Sequence, residues 1–382
     1  MPLAPEDFVN EARALLGERP GQIAAAQKAG RKMIGFFCCY IPEEMIFAAR
    51  MIPVRMVKYG RGNLVNLGVN YLCPSSCPLA CAIVGHKKWN RDFYFKHLDY
   101  VADAPSCMQM HRALEVWEKY FDTKVIPINF PRNYYAPAGL EYYRQSLLLF
   151  KEELEEISGS PIRADDLAEA VELFNDIRKH LRRFYDSLKS DQPLIKWPEL
   201  MEILQAGFLL DRRDFLDLLK RMNRELVPIP FRPRLRILLY GGTMAPGDTM
   251  VPDIIHRLGA EVVMDESCAG SRSIYGEIRE GSIGEIARRY LENLPCDALS
   301  YPKREGDRRE ENLRKMLSDY RLDGLIFYTL RFCDGRSFKV KDIDQLAREA
   351  GVPMLTLVSG YSDSDKGQMT TRIEAFLESL GT

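Results

Sequence analysis

Hydrophobic and polar positions divide the chain into zones of different period. Between residue 31 and about residue 130, the short apolar runs KMIGFF, IPVRMV, LDYVAD and KVIPI alternate with stretches of helical period such as PEEMIFAARM. Short apolar runs separated by helix-length segments predict a parallel α/β unit. From about 138 to 225 the strand signal vanishes. LEYYRQSLLLFKEELEEI and DLAEAVELFNDIRKHLRRFYDSL carry apolar residues three and four apart between charges, which predicts a helical insertion or bundle with solvated charged faces. After the hinge-like VPIPFRPRLR, the runs RILLY, AEVVM, GLIFYT and PMLTLV predict a second parallel α/β unit. The opening MPLAPEDFVNEARALLGERPG is acidic and lacks an apolar centre, so it reads as a capping helix and not as a signal or transit peptide. The organisation expected is a helical segment over 1–30, an α/β domain over 31–137, a helical segment over 138–228 and a second α/β domain over 229–382.

Composition narrows the function classes. The 382 residues are 46% hydrophobic and carry a formal net charge of -1, so two or three domains with real cores are expected and no global basic field is available for nucleic acid or a membrane surface. No apolar run approaches the roughly 18 residues that span a bilayer. A soluble, cytoplasmic protein is the expectation.

Nine cysteines change the picture. In a reducing compartment permanent disulfides are disfavoured, and an odd number cannot be fully paired within one chain, which leaves metal ligation or redox chemistry, with buried packing as the alternative for any single thiol. Their placement follows the predicted strands. The stretch from Leu98 to Cys107 and that from Gly324 to Cys333 are equally long, and each ends in a cysteine just past a third strand. Cys73, Cys77 and Cys81 follow the second strand of the first unit, and Cys268 follows the second strand of the other. Ligands of open α/β sheets gather at the carboxyl edges of the strands, so two facing units would aim these thiols into one cleft. CPSSCPLAC gives two C-x3-C steps with no histidine at zinc spacing, which makes zinc a secondary reading. An iron–sulfur cluster accepts thiolates from distant loops, and Cys77, Cys107 and Cys333 suit one that keeps an iron open.

GFFCCYIPEEMIFAARMIPVRM, LCPSSCPLACAIVG, APSC, DESCAGSR, LDGLIFYTLRFCD and GQMTTRIEAFLESL together resemble the 2-hydroxyacyl-CoA dehydratase and benzoyl-CoA reductase superfamily, including its relatives with a double-cubane cluster. The resemblance implies two Rossmann- or flavodoxin-like domains, a [4Fe-4S] cluster on three cysteines and an ATP-hydrolysing iron–sulfur activator protein that donates one electron. It also implies a homologous subunit in a homo- or heterodimer and a CoA thioester substrate, with the chain acting as a lyase or a low-potential reductase. Carried over residue by residue, the ligands are Cys77, Cys107 and Cys333, with Cys73 and Cys81 as alternatives to Cys77, because Cys77-Pro78-Leu79 followed by Gly85 reproduces the family pattern. Cys38, Cys268 and Cys296 match cysteines of the double-cubane relatives, in which the cofactor is an [8Fe-9S] cluster. A single cubane is the expectation, because Cys296 follows a helix and not a third-strand equivalent. Glu44 matches a family glutamate near the substrate, which makes it the candidate acid or base; the alternative is a charge favouring its helix N-terminus.

The chain also departs from the family. Met108 stands where an acidic residue is usual, Cys81-Ala82-Ile83 replaces a Lys-Ser step, and Val358-Ser359-Gly360-Tyr361 keeps only the tyrosine of a Glu-x-Asp-Tyr sequence. These losses leave a non-catalytic electron-transfer or partner subunit as the competing reading. Gly241-Gly242-Thr243 matches no complete nucleotide fingerprint and reads as a tight turn. Thr371 and Arg372, expected to open the final helix, fit either an anion contact or a cap, and His86, His97 and His111 follow no ligand spacing.

Overall fold

The computed structural model describes residues 3–133, 137–294, 296, 308–362 and 364–381. The eight apolar runs form two four-stranded parallel sheets. The first contains β1 (Met33–Phe36), β2 (Ile52–Arg55), β3 (Tyr100–Asp103) and β4 (Lys124–Pro127) in the order β2-β1-β3-β4. The second contains β5 (Arg236–Gly241), β6 (Glu261–Glu266), β7 (Gly324–Leu330) and β8 (Met354–Ser359) in the order β6-β5-β7-β8. The two orders are the same, so the chain is an α/β protein whose two sheets repeat one topology. In each, the strand order reverses between the first and third strands, and loops leaving those strands open a crevice at their carboxyl ends.

Both faces of the first sheet are apolar, as a parallel sheet covered by helices requires. Met33, Ile52, Val54 and Val101 pack on one face with Ala113, Leu114 and Trp117, whereas Ile34, Phe36, Ala102 and Ile126 pack on the other. At Gly35 a Cβ would lie 2.3 Å from the Met56 sulfur and 2.7 Å from Leu98 Cδ1, so a larger residue would have to displace both side chains.

The segment between the sheets is helical at Pro137–Ser158, Ala164–Ser187, Trp197–Ala206 and Arg212–Glu225. Its apolar stripes do not close on one another as a separate bundle. Leu167, Ala170 and Val171 of the helix Ala164–Ser187 enter the core under β1, while Leu173, Ile177, Leu181 and Phe184 of the same helix enter the core under β5–β7. The N-terminal helix Pro5–Lys28 divides likewise, with Phe8, Val9 and Ala12 on the second core and Ile23 on the first sheet. Two long helices therefore fix the sheets against each other. No helix among the described residues is long and apolar enough to cross a membrane.

Candidate functional site

The thiols gather where the sheet topology predicts, at the carboxyl ends of the strands. Cys107 follows β3 and is the N-cap of the helix Met108–Phe121; Cys333 follows β7 and is the N-cap of the short helix Asp334–Ser337. Cys77 is the N-cap of the helix Pro78–Trp89, whose first residue is a proline that presets the helical φ. Gln109 ties two of these turns together, its side-chain oxygen accepting the Cys77 amide at 3.2 Å. Burial pushes the Cys77 thiol well up, and the nearby Cys333 and Cys107 push it further, against the amides of Leu79 and Ala80 that favour its thiolate. Burial likewise pushes Cys107 up to about 11, with Cys333 adding to it and the amides of Met110 and Gln109 opposing it. Cys73 is exposed, and Cys81 is pushed up to about 11 by burial and then by Cys73. The fold thus brings Cys77 to Cys107 and Cys333, while Cys73 and Cys81 interact with each other.

A second set lies beside the first. The Cys39 thiol has a hydrogen bond with Cys268 that favours its thiolate, yet its bond with Cys38 and its burial push it up to about 12, with Cys296 contributing. Cys38 Sγ stands 2.9 Å from Ser106 Oγ. Cys296 also acts on Cys107, so it interacts with members of both sets. The single-cubane expectation rests on Cys296 following a helix, and here its thiol acts on both Cys39 and Cys107. Its segment turns back on itself, with the Cys296 amide donating to the Leu294 carbonyl at 2.9 Å, and the Tyr40 hydroxyl just past β1 donates to that same carbonyl at 2.5 Å. Those bonds pin the end of the helix Ile283–Glu292 to the loop that carries Cys38 and Cys39.

Two guanidinium groups face the second set. Arg55, at the end of β2 and 3% exposed, donates to Cys268 Sγ at 2.9 Å and to its carbonyl at 2.8 Å, and lies 4.7 Å over the Phe208 ring. Arg272 is fully buried, pairs with Glu266 and reaches Cys296 Sγ at 3.8 Å. Sequence reasoning missed both. The signal was present, since Arg55 interrupts an apolar strand run and a buried cation without a purpose is costly.

The donor sets fit an iron–sulfur core. Helix N-termini and guanidinium groups favour thiolates, and iron supplies the positive charge that offsets the burial pushing these thiols up; such cores are bound by thiolates. Among the described residues no three His, Cys, Asp or Glu side chains stand close enough to hold a single metal ion. Ligands on three different irons of one core stand farther apart than three ligands on one ion.

Glu44 lies in the first turn of the helix Glu43–Ala48 and has no exposed surface. Arg178 donates to one oxygen at 2.6 Å and the Tyr290 hydroxyl to the other at 2.6 Å. Burial raises its pKa, but Arg178, Arg289 and Tyr290 outweigh burial and hold the carboxyl below the usual range. Arg178 also donates to Asn175, which accepts the Ile278 amide and donates to the Ile278 carbonyl, so Glu44 joins parts of both α/β regions to the helix between them.

The remaining candidates are held by ordinary contacts. Gly241 has φ +124, and the Gly242 amide donates to the Tyr328 carbonyl at 2.5 Å, so this pair lets the chain cross β7 at close range. Thr371 and Arg372 sit inside the helix Asp365–Leu380 and not at its start; their side chains donate to the carbonyls of Gly367 and Thr356. His86 stacks on Phe95 and His97 on Phe93, while His111 bonds Asp103 at 2.5 Å, one turn beyond Cys107.

Two parallel sheets of one topology, with cysteines at the carboxyl ends of matching strands, define the class. Residues 38–380 match the model of the family described as 2-hydroxyglutaryl-CoA dehydratase, D-component, and the chain belongs to that family. It is 24% identical over 363 residues to the putative dehydratase subunit YjiM of Escherichia coli (strain K12), with 93% of each chain covered. It is 24% identical over 361 residues to the (R)-phenyllactyl-CoA dehydratase beta subunit of Clostridium sporogenes, again with 93% of each covered. A benzoyl-CoA reductase subunit of Thauera aromatica is 23% identical over 363 residues, which is 92% of this chain and 91% of the relative.

Proposed function

We propose that this chain is the iron–sulfur subunit of a 2-hydroxyacyl-CoA dehydratase- or benzoyl-CoA reductase-type enzyme, holding a [4Fe-4S] cluster through Cys77, Cys107 and Cys333. The observation that carries the reading is that the Cys77 thiol interacts with Cys107 and Cys333, which follow the matching strands β3 and β7, in a chain of this family. When bound, the cluster supplies one-electron reduction and an iron with an open coordination position. The chain's own residues hold it: the amides behind Cys77 and Cys107 favour their thiolates, and Cys77 is buried while Cys107 and Cys333 stay partly exposed. Glu44, with both oxygens engaged and no exposed surface, holds the walls of the cleft together.

Partners follow from the relatives, which are named as subunits of dehydratases and a reductase. We assign this chain a homologous subunit, an ATP-hydrolysing iron–sulfur activator as electron donor, and an acyl-CoA substrate. The position of Cys296 favours a second reading, in which Cys38, Cys268 and Cys296 hold a second cubane beside the first and the protein is a double-cubane reductase. Iron and sulfide analysis of anaerobically purified protein separates the two: about four irons per chain for one cubane and about eight for two. Iron well below four, after reconstitution with iron and sulfide, would contradict both.

A further inference from the structure

A cavity of about 760 Å³ opens between the end of β2, the helix Trp197–Ala206 and the loop that follows β5, and Asp248 lies in its wall. Asp248 is 5% exposed, and the Tyr328 hydroxyl bridges both its oxygens at 3.2 Å. Other charges on this wall are engaged elsewhere. Lys58 pairs with Asp92, and His256 with Glu261 at 2.8 Å; Arg55 bonds Cys268, and Glu202 pairs with Arg13. Asp253 accepts the Thr249 hydroxyl, Glu199 accepts the Lys196 amide, and the Lys196 ammonium lies 5.9 Å over Phe231. Among the described residues no cation pairs with Asp248. Burial therefore pushes its carboxyl up to about 7, against the Tyr328 hydrogen bond that lowers it.

Tyr361 also lies near Asp248. It is 2% exposed, its hydroxyl has no hydrogen-bond partner among the described residues, and its phenol interacts with Asp248, Tyr328, Tyr59 and Cys77. Its ring is 4.6 Å from that of Tyr59 and packs near Ala82, on the helix that Cys77 caps. Among the described residues, a carboxyl without a counter-charge lines the cavity, and an unpartnered hydroxyl interacts with both that carboxyl and Cys77.

We propose that Asp248 is the proton-accepting partner of electron uptake at the Cys77 site, its carboxylate form taking one proton from the cavity when that site gains one electron. This rests on the cluster assignment above. The balance is simple: the electron comes from the one-electron donor, the proton from water in the cavity, and the Asp248 carboxylate becomes a carboxylic acid. The added negative charge at the site raises the proton affinity of Asp248, and by reciprocity the proton raises the site's electron affinity. Tyr328 and Tyr361 interact with Asp248 as neutral phenols, since burial pushes both well above the usual tyrosine range, and supply no competing charge.

The test is a redox titration of the anaerobic, iron-loaded protein across pH, followed by its electron paramagnetic resonance signal and needing no substrate. Below about pH 7 Asp248 is protonated in both redox states, and the midpoint should be flat. Above it, each tenfold fall in proton concentration should lower the midpoint, approaching about 59 mV per pH unit. Asp248→Asn should make the profile flat throughout, and Tyr328→Phe, which removes the bond favouring the carboxylate, should move the bend to higher pH. A flat wild-type profile, or an Asp248→Asn profile with the wild-type slope, would overturn the proposal and leave the cluster assignment standing. Absence of iron from wild type would overturn both.

Discussion

Of the three cysteines that follow β2, only Cys77 faces Cys107 and Cys333, and that difference predicts unequal substitutions. Cys77→Ala should strip most of the iron of the first site, because a missing ligand is not replaced by surrounding contacts, whereas Cys81→Ala should retain it. Iron content of the two variants checks this, and equal retention would contradict it. At Glu44 the prediction concerns stability. Its folded pKa is depressed, so its contribution is present above the unfolded value of about 4.3 and is lost as pH falls through the folded value. Glu44→Gln should cost about 3–5 kcal/mol at neutral pH by leaving Arg178 buried without its counter-ion, and should flatten the acid limb of the stability profile. Urea unfolding at several pH values measures both, and a loss below about 1 kcal/mol would count against the anchoring role. Much of this scale was legible in sequence, since the cysteines announce themselves by spacing after strands. Arg55, Asp248 and the interactions of Cys296 with Cys39 and Cys107 were not, because each depends on a contact with a residue far along the chain.

The elements that carry the thiols are placed by backbone packing. A Cβ on Gly85 would lie 2.0 Å from the Leu64 carbonyl oxygen, and one on Gly68 would lie 1.9 Å from that of Cys81, so the helices Gly62–Val69 and Pro78–Trp89 meet backbone to backbone. Overpacking of this kind costs typically about 1–3 kcal/mol. Gly85→Ala should therefore lower stability by about that amount and shift the Cys77 turn, reducing retained iron; unchanged thermal unfolding and iron content would contradict the account. All eight strands were legible because buried parallel strands are short apolar runs bounded by helical period. The helix Gly62–Val69 and its close approach were less so, because a glycine that permits contact leaves no hydrophobic signal of its own.

At the scale of the molecule, the long helices belong to both sheets at once. Sequence periodicity identified the helix Ala164–Ser187 but not its two-sided use, since a 3.6-residue stripe says which face is buried and not what covers it. Phe184 is fully buried in the core that this helix shares with the second sheet, and Phe184→Ala should cost about 3–5 kcal/mol. If the helices unite the sheets, hydrogen exchange should report the loss in the amides of β1 and β3 as well as in those of β5 and β7. Loss confined to the second sheet would show that the two open separately. The joined sheets matter to function because the thiols that meet at the cleft come from both of them.

That meeting is tested most directly by counting iron and sulfide in anaerobically purified wild type and in the variant Cys77→Ala/Cys107→Ala/Cys333→Ala. The account predicts that the variant, still folded by circular dichroism, loses about four irons per chain relative to wild type. Wild-type iron content in a folded triple variant would contradict it.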